Sequence, residues 1–90
     1  MEFNVLEETK NKLVFELKGE THTFCNILKE ELLTVKGVSL AIYRIDHPLI
    51  GVPQMRIETT KGTEPRKALK EALANIKKKA IEFQKEVNKF

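Results

Sequence analysis

The stretch Thr63-Glu-Pro-Arg-Lys-Ala-Leu-Lys-Glu-Ala-Leu-Ala-Asn-Ile-Lys-Lys-Lys-Ala-Ile-Glu-Phe-Gln-Lys-Glu-Val-Asn-Lys-Phe90 decides how this chain is built. Leu69, Leu73, Ile76, Ala80, Phe83, Val87 and Phe90 follow one another at alternating steps of four and three. Such spacing is an apolar heptad seam on one side of a helix, widened by Ala72 near its start. Thr63 can cap the helix, and Pro65 stands in its first turn, where a missing N–H costs nothing. No glycine or proline follows, so the spacing predicts a helix from about Glu64 to Lys89. At 1.5 Å per residue that helix is roughly 39 Å long.

The preceding residues predict a small sheet. Phe3 and Val5 flank Asn4, and Leu13, Phe15 and Leu17 alternate with Lys12, Glu16 and Lys18. A period of two marks half-buried strands, and the polar connection with Asn11 suits a hairpin. After Gly19 the period becomes helical: Phe24, Ile27, Leu28, Leu32 and Val35 form one stripe, with Lys29, Glu30 and Glu31 facing away. A threonine of Thr21-His22-Thr23 can cap this helix, and Gly37 closes it. Val38 to Ile45 is nearly continuous in apolar residues and reads as a strand covered on both faces. The segment 46–53 is a loop, because two prolines and a glycine forbid regular structure. Gln54 to Thr60 alternates again as a strand.

The expected fold is α+β, in the order β-β-α-β-β-α. It is a single domain over residues 1–90, with a four-stranded, mainly antiparallel sheet and two helices. Strands of seven or eight residues span only about 25 Å. Two or more turns of the last helix must therefore overhang the sheet. Leaving Phe83, Val87 and Phe90 in water forgoes ~1.5–3 kcal/mol of burial each. A partner helix is the expected cover.

Composition bounds the function. The chain has 90 residues, 41% of them hydrophobic and 32% charged, with 16 bases against 13 acids. That is a globular composition. Residues 64–90 hold eight bases and four acids, so of the net +3 the rest of the chain carries −1. A small basic nucleic-acid-binding module using Lys77-Lys78-Lys79 is the competing expectation, although bases mixed with acids also mark a solvated helix face. One cysteine excludes an intrachain disulfide and any multi-cysteine metal site. No apolar run approaches the ~18 residues of a membrane span. The opening Met1-Glu2-Phe3-Asn4 is unlike a signal peptide, so a cytoplasmic protein is expected.

Catalytic constellations do not assemble. His22 and Cys25 stand near a helix start, but nothing beside them supplies an orienting group or an oxyanion hole. Cys25 reads as a packed side chain, and His22 as a partner for nearby backbone. Two histidines and one cysteine at unrelated spacings make no zinc signature. Gly51-Val52-Pro53 and Lys61-Gly62-Thr63 lack both phosphate-loop and dinucleotide spacing. Adjacent Glu30 and Glu31 splay about 100° apart on a helix. No active site, cofactor or metal is expected.

Three segments resemble a known family. His22-Thr-Phe-Cys-Asn-Ile-Leu-Lys-Glu-Glu-Leu32 is similar to the H-T-L-x-N-L-L-R-x-x-L segment of the small α-like subunits of multi-subunit RNA polymerases. Ala41-Ile-Tyr-Arg-Ile-Asp-His-Pro-Leu49 resembles their x-G-Y-x-x-x-H-P-L segment. Met55-Arg-Ile-Glu-Thr-Thr60, followed by Glu64-Pro-Arg-Lys-Ala-Leu69, resembles x-I-x-I-x-T and x-P-x-x-A-L. Phe24, Cys25 and Ile42 depart from the pattern but remain apolar or small. Length and the lack of insertions are most similar to the archaeal subunit L branch, with eukaryotic relatives.

The resemblance implies a non-catalytic subunit of a DNA-directed RNA polymerase. It would pair with the larger α-like subunit (D) to make the platform for the large catalytic subunits, alongside other small subunits. No sequence-reading nucleic-acid contact and no membrane are implied. His22, Phe24, Ile27, Leu28 and Leu32 would lie at or near the dimer interface. Leu69, Leu73, Ile76, Ala80, Phe83 and Val87 would pack against the partner's helices. The His47-Pro48 turn would fix the loop between the last two strands.

Overall fold

The computed structural model describes residues 2–19, 21–45 and 51–89. Its elements are β1 (Glu2–Glu8), β2 (Lys12–Lys18), α1 (His22–Thr34), β3 (Val38–Arg44), β4 (Gln54–Thr59) and α2 (Pro65–Val87). The strands form one sheet in the order β1-β2-β4-β3, with every pairing antiparallel. The expected element order and sheet are both present. The His47-Pro48 turn and Phe90 lie outside the described residues.

Alternation places Leu13, Phe15 and Leu17 of β2, Met55 and Ile57 of β4, and Ala41 of β3 on one buried face. Register makes those neighbours: Leu13 lies opposite Ile57, Phe15 opposite Met55, and Ala41 opposite Ile57. Helices α1 and α2 pack on this face and against each other. Cys25, Leu28 and Leu32 of α1, with Ala68, Leu69 and Ala72 of α2, complete the core. Among the described residues, nothing packs over the other face of the sheet. For that reason β3 is not the doubly covered strand its apolar run suggests: Ala41 points inward, but Ile42 stands 46% exposed on the open side. An edge strand beneath a single helical layer needs only one apolar face.

The opposite edge is blunted. β1 shifts register between Val5 and Glu7, leaving Leu6 exposed outside the ladder. Such a bulge twists an edge away from further pairing. Phe3 nevertheless packs its ring on Phe15, with centroids 4.6 Å apart.

The helix signals resolve unevenly. Phe24 N–H donates to Thr21 Oγ1 at 3.2 Å, the expected cap of α1. Pro65 opens α2, but Glu64 holds the cap position and no side chain caps the helix. Thr63 stands one residue before the cap position, and its carbonyl accepts from Thr59 Oγ1 at 2.6 Å, tying the turn to the end of β4. α1 ends at Thr34, before Gly37, with Val35 as an extended C-cap. Gly37 has φ +93° and sits in the turn leading to β3.

Cys25 is wholly buried in the core. Thiol reagents are therefore expected to modify the folded chain roughly a hundredfold more slowly than the urea-unfolded chain, because attack must wait for local opening. Cys25→Ala should leave partner binding intact. Fast alkylation of the native protein would contradict this packing.

Candidate partner-docking face

Among the described residues, no three His, Cys, Asp or Glu side chains converge as metal ligands. A cleft of about 680 Å³ lies between the β1–β2 turn and the start of α2, lined by Glu8, Asn11, Lys61, Thr63, Pro65 and Arg66 among others. Arg66 Nη2 donates to Glu8 Oε1 at 2.9 Å, and its Nε donates to Oε2. The guanidinium holds the Glu8 carboxyl below its ordinary range through these hydrogen bonds, with a smaller Coulomb contribution. Both groups are solvated, so the pair contributes little stability; it pins the end of β1 to the first turn of α2.

The helices carry the distinctive surface. α2 has 23 residues, about 34 Å of helix, whereas the strands beneath have six or seven. Its Ala72 is fully buried and Ile76 is partly covered. From Lys77 through Lys89 every residue is exposed. The expected overhang is therefore present and more than three turns long. Along it Phe83 is 71% exposed and Val87 is exposed too, while Leu73, one turn before it, is also exposed. Ala80 keeps the seam continuous between them.

On α1 the stripe divides. Leu28 and Leu32 are used by the chain's own core, as is Leu69 of α2. Phe24 is half-buried, and Ile27 is 45% exposed rather than part of the buried stripe. Glu31 corrects the expectation that it faces away. It is only 8% exposed, and Lys79 Nζ donates to its Oε2 at 2.7 Å. Phe24, Ile27 and Glu31 are spaced by three and four, so they share one side of α1 turned toward α2. That spacing was the available signal for an inward Glu31. Ile27 lies one turn from Glu31, and Phe83 one turn from Lys79, so exposed apolar groups flank a buried-side ion pair. Leu33, also exposed, belongs to no sequence-derived stripe.

His22 sits at the start of α1 with its Nδ1 3.4 Å from the Tyr43 hydroxyl. Its partner is thus a β3 side chain, not nearby backbone. Lys29 covers the same ring, with Nζ 5.8 Å from the centroid, so it too is turned toward β3. These contacts hold α1 against the edge of the sheet.

Leaving Ile27, Leu73, Phe83 and Val87 partly in water forgoes on the order of 3–6 kcal/mol of burial. That is a large fraction of the stability of an ordinary domain.

Known proteins share this arrangement. The sequence model of the family described as RNA polymerase Rpb3/Rpb11 dimerisation domain matches residues 12–86. The chain is 42% identical over 83 residues to DNA-directed RNA polymerase subunit Rpo11 of Nanoarchaeum equitans, covering 92% of this chain and 86% of that one. It is 43% identical over 84 residues to the Rpo11 of Methanocaldococcus jannaschii, covering 84% and 85%. The crystal structure of DNA-directed RNA polymerase subunit L from Thermoplasma acidophilum superposes with a TM-score of 0.87 at 28% identity, covering 98% of this chain and 86% of that chain. With its sheet, its paired helices and its overhanging seam, the chain belongs to the RNA polymerase Rpb3/Rpb11 dimerisation-domain family.

Proposed function

We propose that the chain is a non-catalytic assembly subunit of a DNA-directed RNA polymerase, heterodimerising with that enzyme's larger α-like subunit (D). The heterodimer is the platform on which the large catalytic subunits and the other small subunits gather for transcription in the cytoplasm. The observation that carries this reading is the apolar seam left exposed over the last three turns of α2. The docking surface is Leu73, Ile76, Ala80, Phe83 and Val87 of α2 with Phe24 and Ile27 of α1, and His22 at its edge. Leu28, Leu32 and Leu69 support that surface from below. Among the described residues no helix is long and apolar enough to cross a membrane.

A partner that binds only the folded chain stabilises it by mass action. The chain alone is expected to self-associate or to melt as a marginal monomer. Mixed with the larger α-like subunit, it should melt several degrees higher, because 1 kcal/mol moves a domain of this size by about 4–8 °C. Sedimentation with a thermal melt measures both. A monodisperse monomer whose melting ignores the partner would remove the basis for this function.

A further inference from the structure

We propose that the face of α2 turned away from the docking seam binds the phosphate backbone of duplex nucleic acid without reading sequence. Projected at 100° per residue, Lys67, Lys70, Lys77, Lys78 and Lys85 fall within an arc about 100° wide. All five are exposed, and the only large apolar side chain among them is Ile81. The acids of α2, Glu71, Glu82 and Glu86, stand outside the arc, along one rim. The mixing of charges seen along the sequence is thus a segregation around the helix.

The charge is also unspent. Lys79 donates to Glu31, Lys89 to Glu86 and Arg66 to Glu8. None of the five has a carboxylate partner among the described residues. Lys67 and Lys78 each precede a glutamate by four residues, yet neither pair closes. The structure therefore divides the Lys77-Lys78-Lys79 run: Lys79 holds α1, while Lys77 and Lys78 face solvent.

Phosphates fit this row better than an acidic protein surface. Protein interfaces are depleted in lysine and are built around aromatic, methionine and arginine anchors, none of which lies in the arc. Phosphate contacts need only flexible point charges spread along a line. From Lys67 to Lys85 that line is about 27 Å at 1.5 Å per residue. Because the seam lies on the other side of the helix, a docked partner leaves the row open. The lysine row is the same whichever subunit fills the seam.

The test uses the full chain and a fluorescent duplex of about 30 base pairs of mixed sequence, titrated between about 50 and 200 mM salt. One variant replaces Lys70, Lys77, Lys78 and Lys85 with Gln. The other replaces Lys10, Lys18, Lys36 and Lys61, exposed lysines elsewhere, and so loses equal charge. Circular dichroism confirms that both are folded. The first variant should bind about tenfold or more weakly at low salt, with its log–log salt slope flattened by about 3–4. The second should stay within about threefold of the parent, with its slope kept. Equal losses in both variants would reduce the effect to bulk charge and overturn the proposal. No salt-dependent binding by the parent chain would overturn it as well. If polyglutamate of matched charge displaces the duplex more readily than unlabelled duplex does, the row is a protein-docking surface instead.

Discussion

Replacing Phe83 with Asp should weaken the heterodimer by roughly two to three powers of ten while the chain itself stays folded. Phe83 is 71% exposed in the isolated chain, so the substitution removes almost nothing from the core. On the proposed docking surface it would place a carboxylate where an apolar partner surface closes, and an uncompensated buried charge costs about 3–5 kcal/mol. Every 1.4 kcal/mol is tenfold in affinity. Changing Lys78 and Lys85 to Glu alters the same helix on its open side, and should shift partner affinity by less than ~1 kcal/mol. The two variants also separate the faces of α2. Phe83→Asp should leave duplex binding unchanged, while the lysine changes should reduce it. Partner affinity by calorimetry, with circular dichroism on each variant, is the measurement. If the lysine pair proves more damaging to partner binding, the seam is not the docking surface. Because Phe83→Asp also removes the most exposed apolar group of the seam, it should make the isolated chain less prone to self-associate.

Period and punctuation make the element order legible. Strand alternation around Phe15 and Ile57, the Thr21 cap and Pro65 each specify local geometry through neighbouring residues alone. The overhang is legible too, because helix rise and strand rise are fixed lengths and can be compared without coordinates. What alternation cannot carry is which face of an element receives cover. Val38–Ile45 has enough apolar residues for two buried faces, but both helices lie on one side of the sheet, and Ile42 is left in water.

The proposed docking face is legible as a line of residues but not as a surface. A heptad identifies the side of α2 without saying where the chain's own core stops using it; burial along the seam ends between Ala72 and Lys77. Leu28 and Leu32 follow the same logic on α1, where α1's packing on β3 and α2 consumes them. Glu31 escapes a reading in which charged residues face water. Its spacing from Phe24 and Ile27 puts it on their side of α1, but the lysine 48 positions away that pairs with it there has no local signature. The lysine row is hidden for a related reason, since charges adjacent in sequence point to different sides of a helix.

Gly37→Ala should destabilise the chain by about 2–4 kcal/mol, lowering its melting temperature by roughly 10 °C or more. Two separate costs combine there. Gly37 holds φ +93°, and a left-handed conformation costs an alanine about 1–2 kcal/mol. A Cβ at this position would also fall within 2.8 Å of Thr63 Cβ and 2.9 Å of its Cγ2. Thr63 has little room to yield, because its N–H donates to the Thr60 carbonyl and its carbonyl accepts from Thr59 Oγ1. The Gly37 carbonyl in turn accepts from Thr60 N–H at 2.8 Å, locking the turn after α1 to the turn before α2. Gly62 supplies the comparison: it has the same φ of +93°, and nothing lies within 4 Å of the added Cβ. Gly62→Ala should therefore carry only the conformational cost, about 1–2 kcal/mol. Urea unfolding of both variants measures the difference, and equal losses would show that the contact with Thr63 is immaterial. Since this junction sets where α2 leaves the sheet, any repacking at Gly37 also re-aims the seam. Partner affinity should then fall for Gly37→Ala even under conditions where that chain is fully folded, and hold for Gly62→Ala.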